Sequence, residues 1–263
     1  MNKKIILLSL LFFISCGEYQ KVLKSDDPNY KYQMALSYYQ DGDFNRAMPI
    51  FRELVSTLRA TSNSENIIYY LAYCHYQNKD YITSSYLFKN YIQTFPFGKH
   101  IEESNYMSAY CMYLESPNYS LDATATKKAI IELNAFIDRY PNSSKLEDAE
   151  NLILELEDKI ALKSFENAKQ YYTTENYKSA IIAFNNVLID YPNNKYREEI
   201  QFLILRSTFE LANNSISNLI EKRLNETIDA FMVFNDNYPE SKFKKQAEKI
   251  NNQAILSLKQ FNK

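Results

Sequence analysis

The sequence predicts an all-α protein that is built from repeated pairs of helices, and three observations lead to this class. The chain contains only 3 Gly and 7 Pro, too few for the many tight turns of a β-sandwich or barrel. Its apolar residues recur at helical spacing, as at Ala129, Leu133 and Phe136, which places them on one helix face. Hydrophobic residues make up 46% of the 263 residues, which is enough to form a core.

The composition excludes several functional classes. Charges are nearly balanced, with 30 Lys and Arg against 32 Asp and Glu, so no strong field attracts nucleic acid. Three glycines leave no room for a glycine-rich phosphate loop. The 2 His and 3 Cys lack the spacing of a zinc site, and paired carboxylates such as Glu102 and Glu103 are interpreted as solvated charges. The sequence therefore predicts no metal, no cofactor, no nucleic-acid partner and no enzymatic activity.

Four short segments predict where helices end. Each contains an aromatic residue and a proline, then small or polar residues and a basic one. A proline disfavours helix at the residue before it and can open the next helix, so each segment predicts a helix end followed by a new helix. The segments are residues 94–100, 139–145, 190–196 and 237–243.

An amphipathic stretch precedes each of these segments. It carries a small or polar residue, followed by apolar residues four and seven positions later, which is the spacing of one helix face. A fifth stretch, with Ala47, Phe51 and Leu54, lacks the closing proline. The other four sets are Ser84, Phe88 and Tyr91; Ala129, Leu133 and Phe136; Ala180, Phe184 and Val187; and Thr227, Phe231 and Phe234.

A second kind of helix carries small residues at Ala35, Ala72 and Ala109, a spacing of 37 residues, with weaker copies near 168–172 and 207–211. A period slightly above 34, with small residues where two helices must approach, resembles the tetratricopeptide repeat. The resemblance implies a tetratricopeptide-like helical-repeat superhelix of about five helix pairs with a concave face.

The array departs from its period at three places. From Ala109 to Ala129 there are 20 residues, against 12 from Ala72 to Ser84, and the excess predicts an extended loop at 115–122. An equal excess predicts a second loop around 213–218. Residues 145–176 carry apolar residues at helical spacing without Pro or Gly, which predicts one long helix.

A capping helix is predicted after the last pair, over residues 241–261. Its apolar stripe closes the array, because a terminal repeat otherwise exposes its inner face. The stripe comprises Phe243, Ala247, Ile250, Ala254 and Leu258.

Residues 1–15 are predicted to be an export signal. Lys3 and Lys4 precede an apolar run of ten residues at 5–14, which is too short to span a bilayer as a helix. The run is followed by Ser15 and Cys16. The protein is therefore expected to function outside the cytoplasm.

A small residue followed at once by cysteine resembles the lipobox of bacterial lipoproteins. The resemblance implies that Cys16 is diacylated and becomes the mature N-terminus, with residues 16–28 as a lipidated linker. An ordinary secretory leader that happens to contain a cysteine is the alternative. Gly17 stands where an Asp would retain a lipoprotein at the inner membrane, which favours the outer membrane.

The whole arrangement resembles the BamD family, lipoproteins of the machine that folds β-barrels into the bacterial outer membrane. The lipobox, the short linker, the repeat-like pairs and the Tyr-Pro closures carry the resemblance. Its most specific stretch runs from Ser116 to Asp122 and continues with Thr126, Ala129 and residues 137–141.

This resemblance implies a scaffold at the periplasmic face of the outer membrane, held there only through its lipid anchor. Residues 29–144 would receive the C-terminal signals of unfolded outer-membrane proteins, and residues 145–263 would dock a BamA-like barrel protein. The alternative is a periplasmic tetratricopeptide adaptor lipoprotein of another cell-envelope complex. In the docking half, the predicted contact residues are Asn213, Asn214, Lys222 and Arg223.

A tyrosine-rich stripe is predicted to bind the peptide. It comprises nine residues, at the positions three before, one after and four after each of Ala35, Ala72 and Ala109. These three positions lie close together on the surface of one helix. In tetratricopeptide folds this stripe faces the concave groove, and tyrosines offer large contact area to extended peptides. The alternative is that these tyrosines fill space between helix pairs. The nine residues are Tyr32, Leu36, Tyr39, Tyr69, Tyr73, Tyr76, Tyr106, Tyr110 and Tyr113.

Cys74 and Cys111 occupy equivalent positions on neighbouring helices. Packed helices lie about 8 to 10 Å apart, farther than the Cα separation that a disulfide spans. Both are therefore predicted to be buried free thiols. His75, beside Cys74, is predicted to be a core histidine.

Overall fold

The computed structural model describes residues 17–59 and 61–261, which contain twelve helices and no strand. The predicted export signal and Cys16 lie outside the described residues. The helices are α1 (17–24), α2 (Pro28–Gln40), α3 (Phe44–Thr57), α4 (Ser64–Gln77), α5 (Tyr81–Thr94), α6 (Ile101–Leu114), α7 (Thr124–Arg139), α8 (Leu146–Thr173), α9 (Tyr177–Asp190), α10 (Arg197–Asn213), α11 (Ser217–Asn237) and α12 (Lys244–Phe261).

The helices form five pairs, as the sequence predicts. Helices α2 and α3, α4 and α5, α6 and α7, and α10 and α11 pack directly on one another. Phe165 and Ala168 of α8 share a buried cluster with Phe184 of α9. The predicted capping helix is α12, whose Ala247 and Ala254 are buried against α10 and α11. The all-α helical-repeat fold is thus confirmed.

The chain divides into two compact units. Unit 1 has described residues 17–117 and 123–153, and unit 2 has residues 118–122 and 154–261. The division falls inside α8, which is the long helix predicted for residues 145–176. The core of unit 1 includes Ile50 and Phe51 of α3 and Ile67 of α4.

The proline-containing segments end helices as predicted. The aromatic residue before each proline is the C-cap of its helix. Its backbone N–H donates to the carbonyl of the residue four positions earlier. These caps are Phe95, Tyr140, Tyr191 and Tyr238, and the next helices begin at Ile101, Leu146, Arg197 and Lys244.

Three turns inside helix pairs share a left-handed residue. Gly42, Lys79 and Glu175 have φ angles of 76°, 61° and 60°. In the first turn the N–H of Asp43 donates to the carbonyl of Tyr38 at 2.8 Å, which closes the end of α2. This is the left-handed helix end that glycine adopts without strain and that other residues adopt at a cost.

Two predictions about connecting segments need correction. The linker predicted for residues 16–28 is helical over 17–24, and Val22 is fully buried beside Tyr19 and Leu23 in the core of unit 1. Its apolar residues recur at helical spacing, so the segment packs as a helix.

The second correction concerns the loop predicted around residues 213–218. Helix α10 runs to Asn213 and α11 begins at Ser217. The stretch from Arg197 to Asn237 contains neither Pro nor Gly, so the extra residues lengthen both helices instead of forming an extended loop. The loop predicted at 115–122 is confirmed between Leu114 and Thr124, where Pro117 lies.

Candidate peptide-binding surface

The nine predicted groove residues divide into two groups. Tyr32, Tyr69 and Tyr106, three residues before each alanine, are buried. The space-filling alternative therefore describes these three tyrosines. The remaining six are partly buried: Leu36, Tyr39, Tyr73, Tyr76, Tyr110 and Tyr113.

Tyr39 of α2 begins a continuous row of aromatic rings. Its ring centroid lies 4.8 Å from that of Tyr70 of α4 and 5.5 Å from that of Phe44. Tyr70 also stacks on Phe51 at 5.8 Å. Tyr70 is outside the predicted stripe, and it faces the preceding helix pair.

The row continues from α4 to α6. Tyr73 contacts the ring of Phe88 edge to face at 5.2 Å, and its centroid lies 6.2 Å from that of Tyr76. Tyr76 then reaches Tyr110 of α6 at 6.2 Å, and Tyr110 stacks on Tyr113 at 5.9 Å. We call Tyr39, Tyr70, Tyr73, Tyr76, Tyr110 and Tyr113 the tyrosine surface.

Glu103 of α6 is an acidic group at the centre of this surface. The hydroxyl of Tyr69 donates to its Oε2 at 2.7 Å, and the hydroxyl of Tyr73 donates to its Oε1. Burial raises the pKa of both tyrosines, and the hydrogen bonds to Glu103 raise it further. The two hydroxyls are thus held as donors to the carboxylate, while Glu103 itself is exposed. From the sequence alone, Glu103 is expected to be a solvated charge, and its contact with the two tyrosines is not predicted.

A second network fixes the loop beneath Tyr69. The imidazole of His100 stacks on the Tyr69 ring, with centroids 3.8 Å apart. The hydroxyl of Tyr91 accepts from the backbone N–H of His100 at 3.0 Å and donates to Glu65, which also accepts from the backbone N–H of Lys99. These contacts join α4, α5 and the loop at residues 95–100 around the hydroxyl of the buried Tyr91.

Gly98 fits this network because it has no side chain. A Cβ there would lie 2.5 Å from the Tyr91 hydroxyl oxygen and 2.9 Å from Glu65 Oε1. Burial lowers the pKa of His100, and Lys99 lowers it further. The imidazole is therefore favoured in its neutral form.

The cysteines and His75 lie where the sequence predicts. Cys74 and Cys111 are buried free thiols, and burial raises their pKa to about 12 and about 11. His75 is buried, with its Nδ1 2.9 Å from Asp80 Oδ2. Within the part of the chain that the structure describes, no group of three or more His, Cys, Asp or Glu side chains could hold a metal ion.

The four predicted docking residues have different surroundings. Asn213 ends α10 and is exposed, and Lys222 is exposed 3.8 Å from Glu226. Asn214 caps α10 with its amide on the carbonyl of Glu210 at 2.9 Å. Arg223 donates to the Ser215 hydroxyl, so Asn214 and Arg223 stabilise the α10–α11 turn.

Two solved structures are examples of chains similar to this one. The first is the TPR2AB-domain:pHSP90 complex of yeast Sti1, at 13% identity, with 87% of this chain and 98% of that chain covered and a TM-score of 0.39. The second is the assembly chaperone of RpL4, Acl4, at 11% identity, with 89% and 97% covered and a TM-score of 0.26. No curated protein matches the chain.

None of the described helices is long and apolar enough to cross a membrane. The family model of YfiO, described as outer membrane lipoprotein, matches residues 24–218. This match covers more than half of the chain and includes α2, α4 and α6, the helices that carry the tyrosine surface. The chain therefore belongs to the YfiO, or BamD, family of outer membrane lipoproteins.

Proposed function

We propose that this protein is a scaffold of the β-barrel assembly machine that receives unfolded outer-membrane proteins on its tyrosine surface. The observation that carries the proposal is the row of rings from Tyr39 to Tyr113 across α2, α4 and α6, in which the buried Tyr69 joins Tyr70 to Tyr73. The family match supports a place in outer-membrane assembly.

The tyrosine surface suits an extended peptide with alternating aromatic residues. Tyrosine has few rotatable bonds, so it offers contact area at a low entropic cost. Offset and edge-to-face ring contacts favour aromatic side chains as partners. The buried Tyr69 and Tyr106 support the partly exposed rings, since Tyr106 stacks on Tyr110 at 5.8 Å. A bound strand would thus contact Tyr73, Tyr76 and Tyr110.

Glu103 adds polarity to this apolar surface. Its carboxylate accepts from two tyrosines and is open to solvent, so it is placed to accept a hydrogen bond from a peptide N–H or a basic side chain. The carboxylate also disfavours an acidic ligand next to Tyr73. The surface thus favours aromatic peptides that are neutral or basic.

Membrane attachment and docking complete the proposal. Acyl chains on Cys16 hold the protein at the periplasmic face of the outer membrane. Helices α8 to α12 dock a BamA-like barrel subunit, with Asn213 and Lys222 as exposed contacts and Asn214 and Arg223 shaping the turn between them.

Affinity purification of the lipidated protein from its own envelope tests this function. A barrel-shaped assembly subunit and unfolded barrel proteins are expected to co-elute with the wild-type chain. Co-elution with another envelope complex, and with no barrel subunit, would instead support the adaptor alternative. Crosslinks from the barrel subunit that fall only before Tyr140 would contradict docking by the C-terminal repeats.

A further inference from the structure

Ile82 and Tyr86 of α5 and Ile131 of α7 are large apolar side chains that stand in solvent. Their exposed fractions are 70%, 68% and 65%. Tyr86 and Ile131 occupy the same repeat position, two residues after the buried Ser84 and Ala129 that face the partner helices. We call Ile82, Tyr86 and Ile131 the α5–α7 patch.

An ion pair joins the two helices that carry these residues. Lys89 Nζ of α5 lies 2.5 Å from Glu132 Oε1 of α7. Tyr86 is about one helical turn before Lys89, and Ile131 is next to Glu132 in the sequence. Single exposed apolar residues are common on soluble proteins, whereas a cluster marks an interaction surface.

Ile82 and Tyr86 of the patch lie near the edge of unit 1 at which α1, the first described helix, begins. Within unit 1 the pairs are antiparallel, so the turns inside pairs share an edge. Ile82 and Tyr86 fall in the first two turns of α5, just after such a turn. Helix α1 reaches the same edge, because the Tyr19 ring lies 5.7 Å from the ring of Tyr38, near the α2–α3 turn. Tyr19 is three residues after Cys16.

We propose that the α5–α7 patch rests on the phospholipid surface to which the chain is tethered. The inference relies on the lipid anchor at Cys16 that is part of the proposed function. Tyrosine and isoleucine side chains suit the boundary between headgroups and acyl chains. Lys127 and Lys128 are exposed one turn before Ile131, where their long side chains can reach lipid phosphates.

Three side chains are too little apolar surface to hold a protein on a membrane from solution. Tethering makes the contact effectively intramolecular, so a weak contact suffices to orient the protein. The patch therefore sets the orientation of unit 1, while the anchor supplies the attachment.

The chain contains no tryptophan, so one introduced tryptophan reports on one position. The mature chain, beginning at Cys16, is coupled through that thiol to a maleimide lipid in phosphatidylcholine vesicles with or without brominated acyl chains. The buried Cys74 and Cys111 leave Cys16 as the reactive thiol, and peptide mass mapping checks this. The variants are Tyr86→Trp and Ile131→Trp, with Phe97→Trp as the matched control, because Phe97 is 99% exposed in a loop between pairs.

Brominated lipid is expected to remove most of the fluorescence of Tyr86→Trp and Ile131→Trp, and to leave that of Phe97→Trp unchanged. Equal emission of Tyr86→Trp in both vesicle types, or quenching of Phe97→Trp alone, would overturn the proposal. Circular dichroism of each variant confirms its fold. Because the tether is chemical, these outcomes do not depend on acylation of Cys16, which is tested separately by the mass of the mature N-terminus.

Discussion

Glu103 of α6 accepts a hydrogen bond of 2.7 Å from the hydroxyl of Tyr69 of α4, although the two residues are 34 apart in the sequence. The same carboxylate accepts from Tyr73. One acidic side chain thus ties the second helix pair to the third at the tyrosine surface. Its removal would leave two hydroxyls without their acceptor.

Glu103→Ala is therefore expected to lower the free energy of unfolding by about 0.5 to 1.5 kcal/mol, the usual net contribution of an intramolecular hydrogen bond, since the Tyr73 hydroxyl can bond to water instead. Chemical denaturation followed by circular dichroism measures this change. Glu147→Ala is the matched control, because Glu147 is also an acidic residue in the first turn of a helix and controls for the helix dipole. Equal losses in the two variants would show that the tyrosine contacts contribute nothing.

The left-handed turns give a second prediction. Lys79 has a φ angle of 61° in the position that Gly42 fills in the first pair. Lys79→Gly is expected to raise the free energy of unfolding by about 1 kcal/mol, and Gly42→Ala to lower it by about as much. Asn78→Gly serves as the control, since Asn78 has an ordinary φ of −81°. Destabilisation by Lys79→Gly would contradict the strain argument.

His100 predicts how stability depends on pH. Its pKa is lowered from the usual 6.5 by burial and by Lys99, against the opposing effect of Glu65 and Glu103. Because the unfolded chain binds the proton first, the contribution of neutral His100 is complete above about pH 6.5 and is lost as the pH falls toward the folded pKa. An NMR titration should place the pKa of His100 below 6.5.

A variant separates His100 from other titrating groups in this experiment. In His100→Gln the loss of stability between pH 7.5 and 5.5, each about a unit from the usual histidine pKa, should be smaller than in the wild type. The His75–Asp80 contact remains in both proteins. A measured pKa for His100 at or above 6.5 would contradict the stacked, desolvated imidazole.

The thiols give a fourth prediction. Cys74 and Cys111 are buried, and burial raises their pKa to about 12 and about 11. Since the thiolate is the reactive species, iodoacetamide at pH 8, about where a free cysteine begins to ionise, should leave both unmodified in the folded protein. Both should react after denaturation. Mass spectrometry of the two peptides measures this, and rapid alkylation of either cysteine in the native state would contradict its burial.

Sequence patterns that act between neighbouring residues predict the helix ends better than they predict the tyrosine surface. Proline acts on its immediate neighbour, so the caps at Phe95 and Tyr140 could be predicted without knowledge of the tertiary structure. The prediction of an extended loop between α10 and α11 is wrong, because extra residues in a repeat can either form a loop or lengthen the helices.

The stripe of tyrosines was predicted, but its division into buried and accessible members was not. Helical spacing places Tyr69 and Tyr73 together, yet burial depends on helix packing that the spacing does not encode. Glu103 was missed for a related reason. Its partners come from another helix, and an acidic residue in a first helical turn already has a local explanation.

We expect the tyrosine surface to bind the C-terminal strand of unfolded barrel proteins. Tyr76 gives the sharpest test, because its ring joins α4 to α6 through Tyr110 and remains partly accessible. Tyr39 is less suitable, since it packs against the core of unit 1, and its loss would also lower stability. Tyr171→Ala is the control, since Tyr171 is an exposed tyrosine of unit 2.

The decisive measurement is the Kd of a fluorescent peptide from the C-terminus of an outer-membrane barrel protein, determined by anisotropy together with the Tm of each variant. Tyr76→Ala should weaken binding about tenfold or more, as expected for an aromatic hot spot, with little change in Tm. Tyr171→Ala should bind like the wild type. If Tyr76→Ala binds the peptide as tightly as the wild type, the tyrosine surface is not the client site.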